Sequence, residues 1–213
     1  MTSMMSNVQS EEANFVNSTL QALGSISVDQ FKFLYKNTKK GAKNVDIKPC
    51  LSFMVKNRQI RFYGAKSDVI LPYFTPNADM KQILCNWVAI DMLCGDDKRI
   101  DVTAFLENVT TGDSPVVLSF VKDDILFNLI PVDSSSLSKL LLVQERYVSK
   151  LAKVKPENQE RFIDHYCNVF VTNDPNIKQE VAKIGVTMPH KIAIVNKKHK
   201  SGELPEIKYY TKK

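Results

Sequence analysis

The stretch PENQERFIDHYCNVFV, residues 156–171, decides which fold this chain is expected to adopt. Pro156 breaks the helix before it. Proline also suits the first position of a new helix, because the N–H it lacks is one that a helix start leaves unpaired anyway. Read as one helix to about Val171, the stretch leaves no single strand between helical crossovers. The expected fold is then α+β, built from antiparallel β-hairpins and sheets with packed helices, in preference to a doubly wound α/β sheet.

Backwards from Pro156, Leu137, Leu140, Leu141, Val148 and Leu151 recur at helical spacing behind a cap at Ser134–Ser136. Before them, PVVLSFV and ILFNLIP flank Lys122-Asp123-Asp124 as a hairpin, and RIDVTAFLEN (99–108) alternates like a further strand. The apolar run from Thr75-Pro76 to Cys94, stopped by Gly95, reads as the central core helix. CLSFMV (50–55) and QIRFYG (59–64) flank Lys56-Asn57-Arg58 as another hairpin, and DVILPYF (68–74) follows as a strand. Two helices open the chain. The first covers about 11–23 and stops at Gly24; the second runs from Ser27 to about Lys40, with Ser27 and Gln30 at capping-box spacing.

Forwards, Asp174-Pro175 starts a short helix that Gly185 stops. HKIAIVN and EIKYYTK then form a last hairpin around KKHKSGE. A βββα pattern recurs around 50–94 and 99–154, without sequence identity between the copies. The expected organisation is an N-terminal helical segment (1–26), an α+β core (27–155), and a C-terminal segment (156–213) packed on the same domain. IKQEVAKIGVT has the flavour of a helix-turn-helix, but Pro189 falls where a recognition helix would be forming. A short packed helix is the expectation there.

Catalytic patterns are missing. No two of the seven glycines are close enough for a phosphate-cradling loop. His165 and Cys167 are two positions apart on a helix and point to different faces. His190 and His199 have no cysteine or second histidine at ligand spacing, so no metal is expected. Asp96-Asp97 and Asp123-Asp124 sit where turns are expected, and aspartate favours turns through local backbone hydrogen bonds. Neither an enzyme nor a cofactor is expected. Cys50, Cys85, Cys94 and Cys167 show no C-x-x-C pair and read as small core residues in a reducing compartment. The opening MTSMMSNVQSEE lacks the features of a secretory signal, and no apolar run is long enough to span a bilayer; a cytoplasmic, intracellular protein with no membrane association is expected.

The net charge of +6 is unevenly spread. Residues 31–66 hold ten bases and one acid, residues 85–137 nine acids and three bases, and residues 138–213 fifteen bases and eight acids. In FKFLYKNTKKGAK (31–43), Lys32, Lys36, Lys39, Lys40 and Lys43 crowd one arc of a helix beside Tyr35. The following hairpin adds Lys56, Arg58, Arg61, Tyr63 and Lys66, with Arg61 and Tyr63 on one strand face. The last hairpin repeats the theme with Lys197, Lys198, Lys200 and Tyr210. Cations interleaved with rings suit single-stranded RNA or DNA, lysines on phosphates and tyrosines under bases. The expectation is a non-enzymatic, sequence-tolerant single-stranded nucleic-acid-binding protein of the kind a virus or phage encodes. The acidic segment 85–137 would face away or meet a protein partner. The competing expectation is a structural or assembly subunit that forms homo-oligomers or docks a partner through its opposite charges, and a narrower one is a DNA-encircling processivity clamp.

Overall fold

The computed structural model describes residues 2–38, 47–66, 68–94, 115–196 and 198–212. They form a mixed α+β fold with seven helices and two sheets among the described residues.

The chain opens with α1 (Thr2–Leu23), which Gly24 ends in a left-handed conformation at φ 68°. A two-residue strand β1 (Ile26–Ser27) leads directly into α2 (Val28–Thr38). The expected capping box is present in full: Gln30 N donates to Ser27 Oγ at 3.1 Å, and Ser27 N donates to Gln30 Oε1 at 2.9 Å. Gln30 Nε2 also reaches the Ile83 carbonyl at 2.6 Å, so the cap residue ties two helices together. The expected end of this helix at Lys40 lies outside the described residues.

Lys48–Lys56 is a helix, α3, where a strand was expected. Pro49 takes an N-terminal helix position, and the buried residues Cys50, Leu51 and Met54 follow helical rather than alternating spacing. The alternating reading had counted Phe53 and Val55, both of which are exposed. The hairpin shifts one step along the chain to β2 (Ile60–Tyr63) and β3 (Val69–Pro72), and β3 also pairs with β1, giving an antiparallel sheet of order β1-β3-β2. With 50–56 helical, the first of the two expected βββα units does not form. The strand expected at 99–108 lies outside the described residues.

The core helix α4 (Met80–Leu93) starts later than Pro76, because Asp79 is its N-cap and accepts from Lys81 N and Gln82 N. It lies on a five-stranded sheet of β4 (Leu118–Lys122), β5 (Ile125–Pro131), β6 (Tyr166–Thr172), β7 (His190–Val195) and β8 (Ile207–Lys212), in that order. β4–β5 and β7–β8 are the expected antiparallel hairpins; Asp123 and Asp124 turn the first one with φ of 51° and 60°, as a two-residue primed turn demands.

The interior of this sheet is parallel. α5 (Ser138–Leu151) and α6 (Pro156–Asp164) carry the chain from β5 to β6, and α7 (Ile177–Ile184) from β6 to β7. Pro156 starts a helix as expected, but the helix ends at Asp164 and residues 166–172 become the central strand. All but one residue of β6 is buried, because α-helices cover both faces of the sheet. A strand covered on both faces loses the alternation that marks a half-exposed one.

Alternate residues of the sheet feed two cores. Phe120, Leu129, Val169, Val171 and Ala193 pack with α4 and the N-terminal helices. Ile130, Phe170 and Ile192 pack under α5, α6 and α7 on the opposite side. Cys50 and Cys85 are buried free thiols, Cys94 and Cys167 half-buried ones. No helix among the described residues is long and apolar enough to cross a membrane.

Candidate nucleic-acid interface

α3 buries one face and turns the other outward. With Cys50, Leu51 and Met54 inside, Lys48, Ser52 and Lys56 follow one another at one-turn intervals on the exposed side, beside Phe53, which is 48% exposed. The helix stops in a Schellman arrangement: Arg58 N donates to Val55 O and Gln59 N to Met54 O, with Arg58 left-handed at φ 55°. Glycine usually fills that place, because a side chain there costs about 1 kcal/mol. The chain enters β2 at once, and four strand residues, about 13 Å, separate Arg58 from the hairpin tip. At the tip, Gly64 has φ 93°, and a Cβ on it would collide with the Asp68 carboxylate, so the turn requires glycine. Tyr63 and Lys66 are exposed there. Residues 47–66 contain five bases and no acid, and the nearest carboxylate on this surface is that of Asp68, beside Gly64 at the tip.

Helix, short strand, helix, helix and hairpin follow in order and are closed by a sheet of order β1-β3-β2, which sets α3 beside the β2–β3 hairpin.

The residues expected from sequence fall into separate places. Lys56, Arg58, Tyr63 and Lys66 belong to the α3–hairpin surface. Arg61 does not offer its charge outward: its guanidinium donates to the carbonyls of Thr75 and Pro76, which clamps the segment after β3. Lys32 and Lys36 are exposed on α2, but Lys32 lies 3.8 Å from Asp29, one turn earlier, and donates to Ser201 Oγ at 3.1 Å. That contact seats the loop bearing Lys198 and Lys200 against α2, so two basic segments far apart in sequence meet there. Lys39, Lys40, Lys43 and Lys197 lie outside the described residues.

Two of the three tyrosines assigned to stacking are committed elsewhere. Tyr35 is only 4% exposed and donates to the buried Glu12 carboxylate at 2.7 Å; burial, then that hydrogen bond, push its phenol well above the ordinary range. It packs among Phe15 and Phe31 as a core ring. Tyr210 lies on the α7 side of the large sheet, where Lys178 Nζ sits 4.0 Å from its ring centre. The strand neighbour Tyr209 points the other way and donates to Asp91 at 2.6 Å. Asp91 and Asp133 of the acidic segment thus take part in internal contacts, the latter with Lys81 at 2.8 Å. Sequence reasoning missed Lys48, Ser52 and Phe53 as surface residues, although the spacing of Pro49, Cys50, Leu51 and Met54 carried the signal for a helix.

No protein-family model, no curated protein and no solved structure matches this chain.

Proposed function

We propose that this chain binds nucleic acid through α3 and the β2–β3 hairpin, and that its preferred form is the duplex. The observation that carries the reading is the β1-β3-β2 sheet closing on three helices so that an acid-free basic helix, followed by Arg58, projects beside a hairpin whose first strand and turn carry Tyr63 and Lys66, with Asp68 the one acid there. A helix of about 10–12 Å diameter fits the major groove, and a hairpin beside it reaches the flanking backbone. Arg58 supports the reading from another side: the chain keeps a long cation at a position where glycine would relieve strain. With Tyr35 inside the core and Tyr210 under Lys178, Tyr63 is the one ring of the expected stacking set that remains on the basic surface. That weakens the single-stranded form of the expectation and leaves its electrostatic part intact.

The test is a salt-titrated anisotropy assay with labelled duplex DNA, single-stranded DNA and single-stranded RNA. Duplex is expected to bind most tightly, with affinity falling steeply as salt rises. Tighter binding to single strands would return the reading to base stacking on Tyr63. No binding of any form at low salt would remove it.

A second reading, self-association, is favoured by α5, whose Leu141, Leu142 and Val148 face outward. A monomer at high concentration in sedimentation would set it aside.

A further inference from the structure

A cleft of about 530 Å³ opens where β5, β6 and β7 end, roofed by the start of α4 and by the β1–α2 junction. The carboxyl ends of parallel strands are where open α/β sheets place ligands, and this volume is within the range of small-molecule sites. Its floor is mostly apolar: Ile83, Leu84, Val132, Val171 and Val195 line it together with Trp87, whose ring meets that of His199, also on the lining, at 5.1 Å. The rim is acidic. Asp29 comes from the start of α2, Asp68 from the hairpin turn just before β3, and Asp133 from the end of β5, while Asn173 and Asn196 supply neutral amides.

Lys81 is the one lysine or arginine on the lining. It is already bonded to Asp133 at 2.8 Å, and this bond, with a second from Ser135, holds the Asp133 carboxyl well below the usual range and therefore ionised. Asp29 accepts from Ser201 and lies near Lys32. Asp68 has no cationic partner among the described residues. Lys81 answers Asp133 and Lys32 stands beside Asp29, which leaves Asp68 as the carboxylate without a cation, over an apolar, aromatic floor that also carries His199. An anion entering there meets the Asp68 carboxylate, whereas a cation is drawn to it and finds the Trp87 indole on the same lining.

We propose that this cleft binds a small organic cation, a primary ammonium or amidinium group carried on an apolar or aromatic body, with Asp68 and Asp29 holding the charge and Trp87 and its neighbours holding the body. The cleft joins the N-terminal helices to the strand ends of the large sheet, so an occupant touches both parts of the molecule. The site stands whether or not the chain binds nucleic acid.

Trp87 is the only tryptophan, so its fluorescence reports on the cleft directly. The full chain would be titrated with benzamidinium, and in parallel with benzoate and benzyl alcohol, which keep the ring and change the charge; calorimetry provides a second readout. Saturable binding of benzamidinium with little or none of benzoate is expected, weakened by salt, and weakened roughly fivefold in Asp68→Asn. Equal responses to all three compounds would overturn the proposal, as would the absence of saturable benzamidinium binding by both methods. Should Asp68→Asn fail to fold, the comparison of benzamidinium with benzoate on the unaltered chain decides alone. A folded Asp68→Asn and a folded Asp29→Asn that both bind as the parent does would remove the assigned residues.

Discussion

α2 and α3 are neighbours in sequence, both mix lysines with aromatic residues, and the structure uses them in opposite ways. α2 is the richer in rings, yet Phe31, Phe33, Leu34 and Tyr35 are buried and Lys32 is shared between Asp29 and Ser201. α3 has the same number of lysines, two, but it buries only Cys50, Leu51 and Met54 and turns Lys48, Ser52, Phe53 and Lys56 outward. Lysines mixed with rings along a chain therefore do not locate an exposed surface. Which face a helix must bury decides that first, and the remaining face is what a partner meets.

The sharpest way to break this comparison is charge reversal on each side of it. The triple variant Lys56→Glu, Arg58→Glu, Lys66→Glu is expected to lose about 100-fold or more in duplex affinity at low salt, whereas Lys32→Glu with Lys36→Glu loses only severalfold. Replacing the first three by alanine should flatten the slope of log affinity against log salt by about two to three units, which the same anisotropy titration reads. Equal losses from both helices would erase the distinction between them.

Tyr35→Phe tests the buried side. It leaves the Glu12 carboxylate without its phenol donor and is expected to cost about 1–3 kcal/mol in urea unfolding, with duplex affinity of the folded protein unchanged. A change in affinity without a change in stability would put Tyr35 back among the binding residues. Arg58→Gly separates the two properties in the other direction: unfolding free energy should rise by about 1 kcal/mol as left-handed strain is relieved, while duplex binding weakens.

The gentlest perturbation is pH. Burial raises the Tyr35, Tyr209 and Cys85 ionisations, in the tyrosines helped by the carboxylates of Glu12 and Asp91. Their folded forms hold protons more tightly than the unfolded chain does. Their contribution is thus complete below the ordinary thiol and phenol values, about 8.5 and 10, and is lost as pH rises past them. Denaturant midpoints are expected to be flat between neutrality and about pH 8.5 and to fall above it. Tyr35→Phe should make that alkaline fall shallower.

Local chemistry was legible where it acts over a few residues. The Ser27–Gln30 box, the aspartate turn at 123–124, the stop at Gly185 and the closing hairpin all follow from caps and turns that need no distant partner. Two stretches misled, and for the same reason. In 50–55, alternation of apolar residues suggested a strand because Phe53 and Val55, which are exposed, completed the pattern. In 166–172, a strand buried on both faces has no polar alternate to announce it, and the helix before it runs on in sequence without a break. A short packed helix stands at Ile177–Ile184 as expected, whereas β1 is too short to read in sequence and its pairing with β3 spans more than forty residues.

The sequence by itself determined the Ser27–Gln30 box, the aspartate turn at 123–124, the two hairpins of the large sheet and the uneven charge, because each depends on residues within one turn or one strand pair. The cap expected at Ser134–Ser136 is not made, since α5 starts at Ser138 without a side-chain cap. Only the tertiary structure decided that residues 166–172 form the central parallel strand, that α2 hides its rings, and that Asp29, Asp68 and Trp87 meet at one cleft. Those outcomes depend on burial, and burial is set by the competition of all apolar faces for one interior.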